Sequence, residues 1–240
     1  MKVTLLSHTR GAENILLFTK STRLNLTPGL MDKIQAMTHE EKMSELEYMA
    51  NTIPSSWEFV DYVFLVEGVS RAYTHQQVRT RAASYAQQSM RVLDMQGGYD
   101  YVATQANTSS PKAMGILREH REITQRAYKA LIDAGQAPED ARGILPTNIA
   151  TNIVCKFNLR TFSELAKSRT GGRTQGEYQK VINAMVDVVL AVHPWAEKFL
   201  FSRGRDYFNE IEAFAQREYG GDLIKKGELL KIVDAMRKEG

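Results

Sequence analysis

The sequence predicts an α+β fold, with few strands and many helices in one domain spanning 1–240. Two observations carry this reading. Long stretches with apolar residues recurring every three or four positions stand between clear helix start and stop signals, notably 110–134 and 177–192. Only three runs read as strands, at 2–7, 58–66 and 149–158.

Taken in order, residues 2–7 are a short apolar strand and 12–23 a helix. Thr27-Pro28 marks a helix start, with proline in the first turn. Thr38-His39-Glu40-Glu41 is a capping box and opens a helix to about residue 51, with Met43, Leu46 and Met49 or Ala50 on one face. Pro54 and Ser55-Ser56 mark a loop before the strand at 58–66. Residues 69–80 hold few breakers and read as a helix. Ser110-Pro111 starts the long helix that Gly135 stops. A helix over 160–168 follows the strand at 149–158. Thr174-Gln175-Gly176-Glu177 is a second capping box. It leads a helix with Tyr178, Val181, Ile182, Met185, Val188, Val189 and Val192 in 3.6 periodicity, ended by Pro194. Two more helices read over 206–218 and 222–238, with Gly220-Gly221 between them.

The composition excludes several function classes. With 43% hydrophobic and 25% charged residues, the 240-residue chain reads as an ordinary globular protein with a real core. A net charge of +3 without a sustained basic stripe argues against nucleic acid as a partner. No apolar run is long enough for a bilayer and no secretory signal shows, so no membrane partner is expected. The single cysteine, Cys155, allows no internal disulfide and fits a cytoplasmic location. It lies in the apolar run Ile153-Val154-Cys155 and reads as a buried strand thiol, not a nucleophile. His8, His39, His120 and His193 lack metal-ligand spacing, so no metal is expected.

The densest chemistry lies at 76–91, QQVRTRAASYAQQSMR. Arg79, Arg81 and Arg91 offer planar forks of donors suited to phosphate. Gln76, Gln77, Gln87 and Gln88 can read a nucleobase edge, since each donates and accepts. Ser89 and nearby backbone N–H groups can complete an anion shell. A polar, solvated helix end is the plainer alternative.

This segment resembles the signature of the flavin-dependent thymidylate synthases, Arg-His-Arg, seven residues, then Ser. Arg79, Arg81 and Ser89 match it, and Thr80 stands in place of the histidine. A second block, 139–169, resembles the same family through Ala141-Arg142-Gly143-Ile144-Leu145-Pro146, then Asn158-Leu159-Arg160, then Arg169. The resemblance covers about residues 1 to 200. Phe59 stands where many relatives have a histidine, and Glu164 where a polar amide is common.

The resemblance implies a small, mostly antiparallel sheet flanked by helices, and a homotetramer with active sites shared between subunits. It implies FAD as cofactor, with NADPH and 5,10-methylenetetrahydrofolate as co-substrates, and C5 methylation of dUMP to dTMP without an enzyme nucleophile. The alternative it leaves open is methylation or hydroxymethylation of another pyrimidine nucleotide, such as UMP. By resemblance the nucleotide meets Gln76, Gln77, Val78, Arg79, Gln87, Gln88, Ser89, Met90, Arg91, Arg169 and, from a neighbouring subunit, Arg142. Arg91 and Arg142 would take the phosphate. The flavin would meet Asp61, Arg79, Thr80, Arg81, Gln87, Asn158, Leu159, Arg160 and Glu164. Arg169 is the expected catalytic residue, a fixed charge beside the pyrimidine carbonyl. On position alone it reads rather as a helix-terminal cation answering the macrodipole, and Arg160 with Glu164 as a surface pair one turn apart.

Overall fold

A computed structural model describes residues 1–22, 27–91, 95–169, 176–201, 211, 214–215, 218–219 and 222–239. Contacts group the chain into two units, Met1–Leu200 and Phe201–Gly240.

The first unit is built on one four-stranded sheet in the order β1-β2-β4-β3. β1 is Lys2–His8, β2 Asp61–Ser70, β3 Ala83–Gln87 and β4 Ala150–Asn158. Every pairing is antiparallel. Alternation sets the faces. Tyr62, Phe64 and Val66 pair with Phe157, Cys155 and Ile153, and all six are buried. The opposite face carries the exposed Asn152 and Lys156. The α+β class expected from sequence is therefore observed.

Two helices cover the buried face. α8 (Leu159–Arg169) contributes Phe162, Leu165 and Ala166, and α9 (Gly176–Val192) contributes Tyr178, Val181, Ile182, Met185, Val186 and Val189. The Phe162 ring meets those of Phe64 and Phe157 at centroid distances of 5.3 and 6.2 Å. Burying each such side chain stabilises the fold by about 1.5–3 kcal/mol. The buried stripe on α9 turns slightly from the expected one. Val186 is inside, while Val192 is 41% exposed at the helix end.

Before β2, the chain forms α1 (Ala12–Ser21), α2 (Leu30–Ala36) and α3 (His39–Thr52). The capping box at Thr38 is present, with the Glu41 N–H donating to the Thr38 hydroxyl and the Thr38 N–H donating back to the Glu41 carboxylate. α2 starts later than Thr27-Pro28 suggests, because Gly29 takes the N-cap with φ 76°. Pro54–Phe59 is a 3-10 turn, which displaces the expected start of the strand to Asp61.

The middle of the chain departs most from expectation. β2 continues beyond Val66 through a bulge, where Glu67 and Gly68 oppose the single residue Asn152. Gly68 has φ 65°, and its N–H donates to the Asn152 side chain at 3.0 Å. α4 is shorter than the expected 69–80, spanning Arg71–Gln77. β3 follows, where the sequence showed no strand. Beyond it lie α5 (Gln105–Thr108), α6 (Pro111–Asp133) and α7 (Pro138–Ala141). Ser110 caps α6, accepting from the Ala113 N–H. At its other end the N–H groups of Gly135 and Gln136 bond the carbonyls of Ile132 and Leu131, with Gly135 at φ 85°. α10 (Glu197–Leu200) closes the unit.

In the second unit α11 spans Leu223–Glu239, close to the expected 222–238. The expected helix over 206–218 falls largely outside the described residues, as do Thr174 and Gln175 of the second capping box.

Candidate active site

Ser70 fixes where the motif begins. Its hydroxyl accepts from the Tyr73 N–H at 3.0 Å and so caps α4. Its N–H and hydroxyl also donate to the two Glu177 carboxylate oxygens at 2.7 and 2.6 Å. Glu177, expected to serve its own helix start, thus ties α9 to α4. After α4 the N–H groups of Val78, Arg79 and Thr80 bond the carbonyls of Thr74, Gln76 and Gln77, a tight turn that carries the chain into β3. The Tyr85 hydroxyl lies 2.9 and 2.8 Å from the carbonyls of Gln77 and Thr80 and braces that turn from the strand.

The end of β3 carries an anion-seeking group. Gln87 Nε2 donates to Thr74 Oγ1 at 3.0 Å, which locks the strand end against α4. Ser89 Oγ accepts from the Arg91 N–H at 3.2 Å, closing a small turn. Arg91 donates to Glu139 Oε2 from Nε at 2.9 Å and from Nη2 at 2.7 Å. Arg142 Nε donates to the Glu139 carbonyl at 3.1 Å. Arg71 Nη2 donates to the Gln88 carbonyl at 2.5 Å, while its buried Nε has no partner. Burial, and then the Arg142 guanidinium, push the Arg71 pKa down. Beneath the turn Met90, Tyr99 and Ile149 form a separate small core.

The second group forms a cavity of about 170 Å³ lined by Thr80, Thr161, Glu164, Leu165, Ser168 and Arg169. Here the first sequence block meets the second. Arg169 is the last residue of α8, and its guanidinium lies 5.3 Å from the centre of the Tyr178 ring. Burial raises the Tyr178 pKa, and Arg169 and Thr80 pull against that rise. The Tyr178 ring also meets that of Tyr73 edge-on at 5.3 Å.

The third group sits at the β2–β4 end. Asp61 pairs in register with Asn158 and forms an ion pair with Lys156 at 2.8 Å. Asn158 Oδ1 accepts from the Thr161 N–H at 2.8 Å, the geometry of a helix cap. Arg160 pairs with Glu58 at 2.7 Å and more loosely with Glu164 at 3.5 Å.

Some candidate residues are enclosed by the fold. The side chains of Gln77 and Leu159 are fully buried, and Met90 nearly so. The Gln77 side chain accepts from the Tyr73 hydroxyl at 3.1 Å. Gln77 and Leu159 expose no surface at all, main chain included, so they support the site from beneath it. Val78, Arg79, Arg81, Gln88 and Ser89 are exposed, and Gln76 is half-buried at the end of α4. Arg79 and Arg81 form no ion pair among the described residues. Cys155 is buried in β4, and burial pushes its thiol up to about 12, so no thiolate forms at neutral pH. Among the described residues no cluster could hold a metal ion, and no helix is long and apolar enough to cross a membrane.

Sequence reasoning missed Arg71, Glu139 and Tyr178. Tyr178 carries the one hydroxyl on an otherwise aliphatic stripe, a signal that was readable. Arg71 and Glu139 gave none, because the Gln88 carbonyl that Arg71 bonds and the Arg91 guanidinium that Glu139 bonds are both distant in the chain.

The family model of the thymidylate synthase complementing protein matches residues 4–195. The chain is 30% identical over 197 residues to the flavin-dependent thymidylate synthase of Geobacter sulfurreducens, covering 81% of this chain and 84% of that one. It is 30% identical over 212 residues to the flavin-dependent thymidylate synthase of Clostridium tetani, with the same coverage of both chains. The like-named protein of Sulfurisphaera tokodaii is 31% identical over 198 residues, covering 81% of this chain and 75% of that one. The match includes β2, β3, β4, most of β1 and both blocks that meet at the Thr80–Arg169 cavity, and the chain belongs to the thymidylate synthase complementing protein family.

Proposed function

We propose that this chain is an FAD-dependent enzyme that methylates C5 of dUMP to give dTMP. The carbon comes from 5,10-methylenetetrahydrofolate and the reducing equivalents from NADPH. The observation that carries the reading is the cavity where Thr80 meets Glu164 and Arg169, within a family whose curated members are flavin-dependent thymidylate synthases.

The residues present suit these ligands. Arg79 and Arg81 offer two exposed guanidiniums for a pyrophosphate. Asp61, Asn158, Arg160, Glu164, Thr80 and Gln87 would add polar contacts to the flavin, with the buried Leu159 anchoring Asn158 and Arg160 beside them. When bound, the flavin supplies hydride transfer. Arg91, Arg142 and the Ser89 turn take the nucleotide phosphate, while Gln76, Gln77, Val78, Gln88 and Met90 frame the sugar and base. Arg169 holds a fixed positive charge where negative charge grows on the pyrimidine oxygen as C5 becomes nucleophilic. The buried, protonated Cys155 fits a route without covalent attack by the enzyme.

At about 170 Å³ the cavity is smaller than the roughly 300–1,000 Å³ usual for ligand sites, which supports a site completed by a neighbouring chain. A homotetramer with shared sites, one catalytic domain over the whole chain and a cytoplasmic location complete the proposal.

The test is direct. The purified protein shows flavin absorbance, and its NADPH oxidation with methylenetetrahydrofolate rises on addition of dUMP, with dTMP identified by mass. A colourless protein that FAD cannot reconstitute sinks the reading. Methylated product from UMP in place of dUMP transfers it to the ribonucleotide.

A further inference from the structure

The resemblance set Arg142 apart from the other nucleotide contacts, on a neighbouring subunit. Within one chain, however, Glu139 holds Arg142 and Arg91 together although they belong to different sequence blocks, so the two enter a shared site from the same side. Glu139 lies in the single turn of α7. Its carboxylate takes the Nε–Nη2 edge of Arg91, and its carbonyl takes Nε of Arg142. A guanidinium has two edges able to grip an anion, and the Nε tether uses only one. The terminal Nη1–Nη2 forks of both arginines are thereby kept from the tether and given a fixed direction. The Ser89 turn is joined to the same arrangement, because its hydroxyl holds the Arg91 N–H. Arg71 adds a third guanidinium behind it, bonded to the Gln88 carbonyl. Arg71 is near enough to Arg142 for their charges to repel, so three cations share this corner with the one Glu139 carboxylate, and the surplus charge calls for an anion.

An exposed ion pair contributes little to stability, about 0–1 kcal/mol. The side chains of Arg91 and Glu139 are 65% and 46% exposed, so holding the fold together is not what this pair does best. What the tether restricts is the swing of two long side chains, a cost that a ligand would otherwise meet on binding.

We propose that Glu139 is a positioning residue for the nucleotide phosphate, aiming Arg91 and Arg142 at one point above the Ser89 turn. The inference rests on the nucleotide reading given above. It makes a prediction whose sign is diagnostic. By charge alone, deleting a carboxylate beside a phosphate site strengthens phosphate binding. If aiming dominates, deleting it weakens binding.

The experiment uses the full chain loaded with its flavin, in four forms: unaltered, Glu139→Gln, Arg91→Ala and the double variant. Each is titrated calorimetrically with dUMP, deoxyuridine and inorganic phosphate, and assayed for turnover. The expected result for Glu139→Gln is a rise of about tenfold in the dUMP Kd and KM, the loss of one charge-assisted tether. kcat, flavin content and deoxyuridine binding stay unchanged, which a general structural lesion would not allow. In the Arg91→Ala background the same change has a much smaller effect, since its main target is gone. Equal or tighter dUMP binding by Glu139→Gln overturns the inference, as does an equal loss for deoxyuridine. If Arg91→Ala weakens dUMP and phosphate binding while Glu139→Gln does not, only the role of Glu139 falls. If Arg91→Ala leaves both ligands bound as before, the phosphate reading itself falls, and this inference with it.

Discussion

Arg169 combines two roles that one position can serve. As the last residue of α8 it answers the helix dipole, and over the Tyr178 ring it is held at the cavity shared with Thr80. Arg169→Ala is expected to lower kcat about 10²–10³-fold, the size of one lost electrostatic stabiliser, with flavin content unchanged. Arg169→Lys recovers only part of this, because an ammonium lacks the planar fork and stacks less well on tyrosine. Steady-state assays on flavin-loaded protein measure both, and wild-type turnover by Arg169→Ala removes the residue from the chemistry. The sequence named Arg169 through family spacing alone, since on position it was indistinguishable from a helix-end cation. Tyr178, which holds it, was read as one more core residue of the α9 stripe.

Among the elements, those whose signals are local were legible. The Thr38 capping box, the Ser110 cap and the Gly135 stop of α6 each need only neighbouring residues, and each is present. What failed to show was non-local. β3 is five residues, ASYAQ, and exists because β4 offers it a free edge. β2 seemed to end at Val66 because the bulge breaks its alternation. Glu177 looked like the N3 residue of its own helix, while its carboxylate serves Ser70. Ser70→Ala therefore removes a helix cap and one bond to a carboxylate together. It is expected to cost about 2 kcal/mol, read as a lower urea midpoint at unchanged slope. A midpoint equal to wild type shows that water replaces both bonds.

For the molecule as a whole, a buried histidine is expected to make stability depend on pH. His193 lies where α9 ends, with Nδ1 3.0 Å from the Tyr62 hydroxyl and its ring stacked on Trp195 at 5.0 Å. Burial, and then His8, hold its pKa below the usual 6.5, with Glu13 acting the other way. The unfolded chain takes up a proton near pH 6.5 that the folded chain refuses. This contribution to stability is therefore complete above about pH 6.5 and is lost as pH falls below it, at most about 1.4 kcal/mol per pH unit. Melting curves across pH 5–8 are expected to decline on the acid side, and His193→Gln flattens part of that decline. An unchanged slope in the variant assigns the acid sensitivity elsewhere. At this same scale the bond between Ser70 and Glu177 acts on chain topology. Along the backbone, Thr80 and Arg169 are separated by β3, three helices, β4 and α8. Through that bond the path between them is a short stretch of chain on either side. Closing so long a loop costs entropy that grows only slowly with its length, and the sheet and α8 between the two ends already meet most of that cost. The two walls of the cavity are thus joined as neighbours on a small ring, and they can drift apart only as far as that ring permits.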